Sequence, residues 1–413
     1  MGVTINGQKP EPLPEPVKPE PVVVEPAVKK GKAQKEVKSA FPTGSTAAIT
    51  AAIHKSKGEH VVVAGNSIPP VPRLRTGIFE FDLYTGGGFP RGRYSIVYGP
   101  ESSCKTNLAY AAAAQAQRDS PNCNKVVWVN LEGTFDPQWA GQFGLDTSQV
   151  IVVNPGYGEE AVDLIDAYMR AEDVSLLVVD SIAALVGSKE IGQSAESFDV
   201  GTSSLLIKRL VMKMMYAFAK EKATHHEPCV ILINQTRYKI GVMFGDPETM
   251  PGGEAQKFLA SLRIRTYGKN IDVKDVNPNK HAIKQVSVVV KKSKVPVLSN
   301  KFDLDMVMIP HDNLSVGQTN SWPTVKNYLQ QLGLMTKSPK GYEVLGNLFP
   351  KQSDIEDQYL FDEDFRLQLQ GVVIDSLKED MKLVDEAPEP AAHFESSKAP
   401  GTEVPVDWLK GGK

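Results

Sequence analysis

The octet Gly99-Pro100-Glu101-Ser102-Ser103-Cys104-Lys105-Thr106 follows the apolar run YSIVYG (94–99) and leads into an amphipathic segment, with Asn107 next in line. Small residues ahead of a Lys-Thr pair, at a strand-to-helix junction, suit a phosphate cradle. Backbone N–H groups at the helix start point at phosphates, Lys105 reaches the β- and γ-phosphates, and Thr106 holds Mg²⁺. The P-loop pattern asks for Gly where this chain has Cys104. A side chain there narrows the loop, and it is strained if the position needs positive φ. Downstream, the apolar run SLLVVD (175–180) ends in Asp180. An acid at that point can orient Mg²⁺ through water. Strand ends are often acidic, but a strand-end acid that shares a sheet with a phosphate loop gains meaning. The two motifs together predict binding of a nucleoside triphosphate with Mg²⁺.

Positioning these groups requires a sheet. Apolar runs at 94–99, 125–131, 150–154, 175–180 and 229–234 read as buried strands, separated by amphipathic segments at 104–118, 159–171 and 202–222. Continuous Val/Ile/Leu runs alternating with helices predict a mainly parallel sheet covered on both faces, an α/β fold. QVSVVVKKSK (285–294) is a later strand with polar/apolar alternation. Trp322–Leu345 and Asp364–Leu383 read as helices of a small C-terminal domain, with turn signals at Ser338-Pro339-Lys340-Gly341. The Ala-rich Thr46–Lys57 favours a short helix.

The chain has 413 residues, 46 Lys+Arg against 49 Asp+Glu, and 3 Cys, at positions 104, 123 and 229. Three such cysteines build neither a disulfide framework nor a paired metal knuckle, so a reducing compartment is expected. No run of 18 apolar residues occurs, and MGVTINGQKPEPLPEP has no apolar signal core, so neither a membrane span nor secretion is expected. A net charge of −3 excludes a globally basic coat but not a local basic patch. Residues 205–300 hold 17 Lys/Arg and 7 Asp/Glu, and residues 351–413 hold 7 and 15. A basic middle before an acidic end suggests a polyanion-binding surface and a tail that competes for it, although two solvated faces of opposite sign fit the same counts. Residues 1–40 carry seven prolines, which block helix and sheet alike and predict a disordered arm.

The runs GPESSCKT (99–106), VNLEGTFDP (129–137), LLVVDSIAAL (176–185) and INQTRYKIGVMFGDPETMPGGEAQKFLASLRI (233–264) resemble the RecA recombinases. The last block is long, contiguous and specific, and the resemblance covers roughly residues 70–300. With Cys104 and the Pro-rich arm, the chain is similar to the phage-encoded RecA/UvsX-type members. The resemblance implies a RecA-type P-loop ATPase core with a short N-terminal element and a small α+β C-terminal domain. The expected division is a disordered arm (1–40), an oligomerisation element (41–70), the ATPase core with DNA-binding loops (71–312), the C-terminal domain (313–384) and an acidic disordered tail (385–413).

Residue by residue, the resemblance makes Glu132 the acid that polarises the attacking water. It makes Asp136 the contact for the adenine amino group, and puts Trp139 where an aromatic lies against the base, although core packing suits a Trp equally. It makes Gln235 the sensor of the γ-phosphate, and Lys292 with Lys294 the pair that reaches a neighbouring subunit's nucleotide. A first DNA loop falls near 190–201 and a second at Thr236–Gly253, with Gly252 and Gly253 among its DNA-binding residues. In the second, Arg237 and Lys239 meet phosphates and Met243 and Phe244 wedge between bases. The implied activity is ATP-dependent strand exchange by a helical filament of this chain on single-stranded DNA, with ATP and Mg²⁺ as cofactors. Double-stranded DNA is the second substrate. Single-strand-binding or loader proteins are further partners, and the cytoplasm (bacterial, or the host's for a phage protein) is the compartment. A hexameric helicase on the same core, or an ATP-gated single-strand scaffold without turnover, stands as the alternative.

Overall fold

The computed structural model describes residues 44–58, 61–119, 123–192, 201–221, 227–238, 248–271, 282–311 and 313–380. The Pro-rich arm, most of the first DNA loop, Lys239, Met243, Phe244 and the acidic tail lie outside the described residues. What is described falls into two compact units, divided between Val63 and Ala64. The first holds one helix, α1 (Thr46–Lys57), as its Ala content favours. Ser45 caps it, its Oγ accepting from Ala48 N at 3.3 Å. His54, Lys55 and Lys57 sit in the last turn, where the helix dipole favours cations.

The second unit is built on eight strands: β1 (Arg93–Gly99), β2 (Lys125–Asn130), β3 (Val150–Val153), β4 (Val174–Asp180), β5 (Cys229–Gln235), β6 (Leu262–Ile271), β7 (Ile283–Ser293) and β8 (Lys301–Val307). Their lateral order is β8-β7-β6-β1-β5-β4-β2-β3. The six from β6 to β3 run parallel, and β7 and β8 extend the sheet antiparallel. Six of the eight were expected. β6 and β8 were not, because LRIRTYGKNI and KFDLDMV are too polar to read as buried runs.

Alternation along each strand divides the core between two faces. Val126 and Trp128 join α3 (Lys105–Asp119) on one face. Val127 and Val129 join α5 (Gly158–Tyr168) and α6 (Thr202–Glu221) on the other. The alanines of α3, at 109, 111–114 and 116, are buried and let that helix lie close on the sheet. Short helices α2 (Phe79–Thr85), α4 (Pro137–Gln142) and α7 (Gly253–Leu259) complete this layer arrangement.

The C-terminal part corrects the expected pair of long helices. α8 (Trp322–Gln331) stops well short of Leu345, because Gly333 takes a left-handed φ of 70°. Met335–Ser338 (β9) and Gly341–Val344 (β10) then pair as a hairpin around the anticipated turn, with Asn347–Phe349 (β11) beside them. The second expected helix is preceded by α9 (Gln352–Phe361) and begins at Glu363 as α10 (Glu363–Asp380). These elements share one core with Phe79 and Leu83 of α2.

Candidate nucleotide and DNA site

β1 delivers Gly99 to the carboxyl edge of the sheet, where open α/β folds bind ligands. Between Gly99 and Lys105 the chain turns with two non-glycine residues in the left-handed region, Ser102 (φ 55°) and Cys104 (φ 65°). That conformation costs an L-residue about 1–2 kcal/mol, so the Gly-to-Cys departure is a strained one. Cys104 is buried in the cluster beneath α3, and its Sγ lies 3.8 Å from the Asn107 amide. Burial pushes its thiol up to about 11.

β6 walls the loop. A Cβ on Gly99 would stand 2.3 Å from the Thr266 carbonyl oxygen, and one on Gly268 2.6 Å from that of Ser102. Only glycine admits approaches this close. Ser103 Oγ donates to Pro100 O at 2.8 Å, which leaves Thr266 Oγ1 to donate to Ser103 Oγ across 2.9 Å. Lys105 Nζ donates to Pro100 O at 2.6 Å, and burial lowers its pKa against the opposing charges of Asp180 and Glu132. Glu101 and Ser102 stay exposed at the rim.

Thr106 Oγ1 donates to Asp180 Oδ2 at 3.1 Å. Burial pushes the Asp180 carboxyl up to about 6, with Thr106 and Lys105 opposing and Glu132 adding to the rise. A hydroxyl and a carboxylate at that separation are the hard oxygen donors Mg²⁺ prefers beside substrate phosphates, so the residues fit the ion. Glu132 follows β2, and its Oε1 accepts from Gln235 Nε2 at 2.8 Å and from Ser181 Oγ. Glu132, Asp180 and Gln235, separated by up to 103 positions, therefore meet at one edge.

Asp136 caps α4, its Oδ1 accepting from Gln138 N at 2.9 Å and Trp139 N at 3.0 Å. Trp139 is half-buried edge-on to Phe143, with ring centroids 5.5 Å apart, and its Nε1 donates to Asn107 Oδ1 at 3.3 Å. Asn107 Nδ2 in turn lies 3.7 Å from Met308 Sδ. Lys292 and Lys294 engage α7: Lys292 Nζ donates to Lys257 O at 3.1 Å and to Phe258 O, and Lys294 Nζ to Leu259 O at 3.1 Å. Burial and the neighbouring charges of Lys294 and Arg263 lower the Lys292 pKa.

At the root of the second loop, Arg237 and Tyr238 are exposed and pair antiparallel with Thr249 and Glu248. Gly252 takes φ 97° and Gly253 φ 73° to turn into α7. A Cβ on Gly252 would stand 2.4 Å from Ile207 Cδ1. Asn234 Nδ2 ties this end back to β5 through Pro251 O at 3.1 Å and Gln256 Oε1 at 3.1 Å. Sequence reasoning missed Ser181, Thr266, Met308 and Tyr238. Ser181 adjoins Asp180 and was within reach, whereas Thr266 and Met308 sit in or beyond strands the pattern did not reveal.

A phosphate loop after a central parallel strand, a buried strand-end carboxylate beside its threonine, and antiparallel strands at one edge define a P-loop nucleotide-binding protein of the RecA type. Residues 45–309 match the RecA N-terminal domain family. The chain is 34% identical over 267 residues to Protein RecA of Mesoplasma florum, covering 63% of this chain and 75% of that one. It is 34% identical over 301 residues to Protein RecA of Oceanobacillus iheyensis, covering 67% and 83%, and 38% identical over 234 residues to Protein RecA of Acidiphilium cryptum, covering 56% and 65%. The chain belongs to the RecA family of recombinases.

Proposed function

We propose that this chain is a DNA-dependent ATPase that forms a helical filament on single-stranded DNA and carries out homologous pairing and strand exchange. One observation carries the reading: the 2.8 Å bond between Glu132 and Gln235 joins the acid beside the phosphate loop to the root of the Thr236–Gly253 loop. A γ-phosphate drawn to Gln235 breaks that bond, frees Glu132 for water, and repositions the loop.

Lys105 exchanges Pro100 O for the β- and γ-phosphates, and the backbone N–H groups of 102–106 line the rest. Thr106 and Asp180 hold Mg²⁺, which when bound neutralises phosphate charge. Glu132 orients the attacking water and accepts its proton as the water oxygen bonds to the γ-phosphorus. The bond from that phosphorus to the bridging oxygen breaks, leaving ADP and phosphate. Trp139, Asn107 and Asp136 receive the base. Lys292 and Lys294, released from α7, stabilise the neighbour's phosphates. Arg237, Lys239, Met243 and Phe244 bind DNA with Gly252 and Gly253 as the hinge. The helix α1, none of whose residues is buried, supports a subunit-contact role for 41–70.

The test is ATP hydrolysis with and without single-stranded DNA, followed by pairing of a labelled strand with homologous duplex. Stimulated hydrolysis with homology-dependent pairing is expected, and hydrolysis indifferent to DNA overturns the reading. A scaffold without turnover, which a strained Cys104 would suit, predicts binding of both ligands and no ADP.

A further inference from the structure

The bond from Glu132 to Gln235 holds only the incoming end of the Thr236–Gly253 loop. Its outgoing end is fastened differently. Glu248, whose backbone pairs with Tyr238, receives the Arg265 guanidinium on both oxygens, Nε to Oε1 and Nη2 to Oε2. The two side chains are 9% and 7% exposed. The guanidinium also lies over the Tyr267 ring, 3.3 Å from its centroid. A bidentate pair taken out of water holds one geometry, because any looser one leaves buried charge uncompensated.

The residues that follow Arg265 touch the phosphate loop. Thr266 Oγ1 meets Ser103 Oγ at 2.9 Å, and Gly268 lies against the Ser102 backbone so closely that a Cβ would stand 2.6 Å from its carbonyl oxygen. β6 is bonded along its length to β7 and over Leu262–Arg265 to β1, so it moves as a rigid element. A displacement of Ser102–Ser103 on filling the loop would thereby have a path of direct contacts to Arg265 and on to Glu248.

We propose that the Arg265–Glu248 pair, reached from Ser103 through Thr266, is a second link through which the nucleotide sets the position of the DNA-binding loop. It acts on the outgoing end through contacts that do not include the Gln235 side chain. Arg265 and Glu248 are positioning residues. The inference rests on the reading that this loop binds DNA.

The test measures full-length protein binding labelled oligo-dT by fluorescence anisotropy, with ADP and with a non-hydrolysable ATP analogue. The readout is the ratio of the two dissociation constants. A merely structural defect weakens both states together and leaves the ratio alone. Wild type should give a ratio above about 10, a 1.4 kcal/mol difference. The double variant Arg265→Met with Glu248→Met replaces the pair by apolar chains of similar volume, and should cut the ratio at least threefold. Arg265→Lys keeps the charge without the fork and should give an intermediate ratio. An unchanged ratio in the double variant overturns the proposal. If that variant melts below the assay temperature, Thr266→Val decides by the same ratio, because it removes only the hydroxyl link. Wild-type protein that binds no DNA in either state overturns the functional reading and this inference with it, an outcome distinct from wild-type coupling that survives loss of the pair.

Discussion

Replacing Cys104 by glycine tests how the phosphate loop tolerates its departure from the pattern. At φ 65° the cysteine carries about 1–2 kcal/mol of left-handed strain that glycine does not. Against this, glycine loses roughly 0.5–1 kcal/mol more backbone entropy on folding. The buried CH₂ and sulfur, 7% exposed, give up about 1 kcal/mol of burial. These contributions cancel to within about 1 kcal/mol, a melting shift no larger than about 4 °C for a domain of this size. On the proposed reading the backbone N–H groups rather than the thiol hold phosphate, so ATP affinity should stay within about tenfold, or 1.4 kcal/mol. Cys104→Val behaves oppositely, since a β-branched residue at that φ is a genuine outlier and nothing offsets it. Titration with a fluorescent ATP analogue, beside thermal melts of both variants, gives the answer. A hundredfold change for glycine together with a neutral valine would refute the reasoning, because the thiol would then be setting the loop's shape. The same geometry makes Cys104 a poor target for alkylation at neutral pH, its thiol being buried and pushed up to about 11.

Asp180 predicts a pH dependence. Its carboxyl sits at about 6 rather than 3.8, so protons compete with Mg²⁺ below pH 6. Metal-dependent ATP binding should weaken by about tenfold per pH unit there, and Asp180→Asn should flatten that slope while lowering affinity throughout. The stability sign is the reverse: a raised folded pKa contributes stability below the unfolded value that is lost as pH rises through about 6, so melting curves from pH 7 to 5 should show no loss from this group. Lys292→Ala with Lys294→Ala should leave the monomer folded and binding ATP but impair DNA-stimulated hydrolysis and filament growth. Normal filaments with full turnover, seen by electron microscopy and ADP release, would make the pair a cap for α7 alone. Gly99→Ala forces a methyl to 2.3 Å from Thr266 O and should abolish ATP binding, as measured by calorimetry. Retained micromolar affinity would show that β6 can yield.

The parallel part of the sheet was legible because each of its strands except β6 is a mostly apolar run. The phosphate loop was legible because its chemistry is local: Gly99, Lys105 and Thr106 lie within eight positions. Asp180 could be paired with that loop because both sit at strand ends. What the chain did not reveal is non-local or half-polar. β6 alternates arginine, threonine and glycine because it passes between the loop and the next strand, so its pattern reads as irregular. Thr266 and Met308 were invisible for the same reason. The helix expected through Leu345 failed because Gly333 ends α8, and the hairpin beyond it, flanked by Leu334 and Leu345, mimics helical apolar spacing. Trp139, open between base and core, touches Phe143 and Asn107 at once, so the two readings are not exclusive.

The central claim is that nucleotide state and DNA binding are coupled through Glu132 and Gln235. Steady-state ATP hydrolysis by wild type and by Gln235→Ala, each with and without oligo-dT, addresses it most directly. The account predicts that DNA stimulates the wild type by about tenfold or more, at least 1.36 kcal/mol off the barrier, while Gln235→Ala binds ATP and hydrolyses it at a rate indifferent to DNA. Full DNA stimulation of Gln235→Ala, or wild-type hydrolysis that ignores DNA, would contradict it.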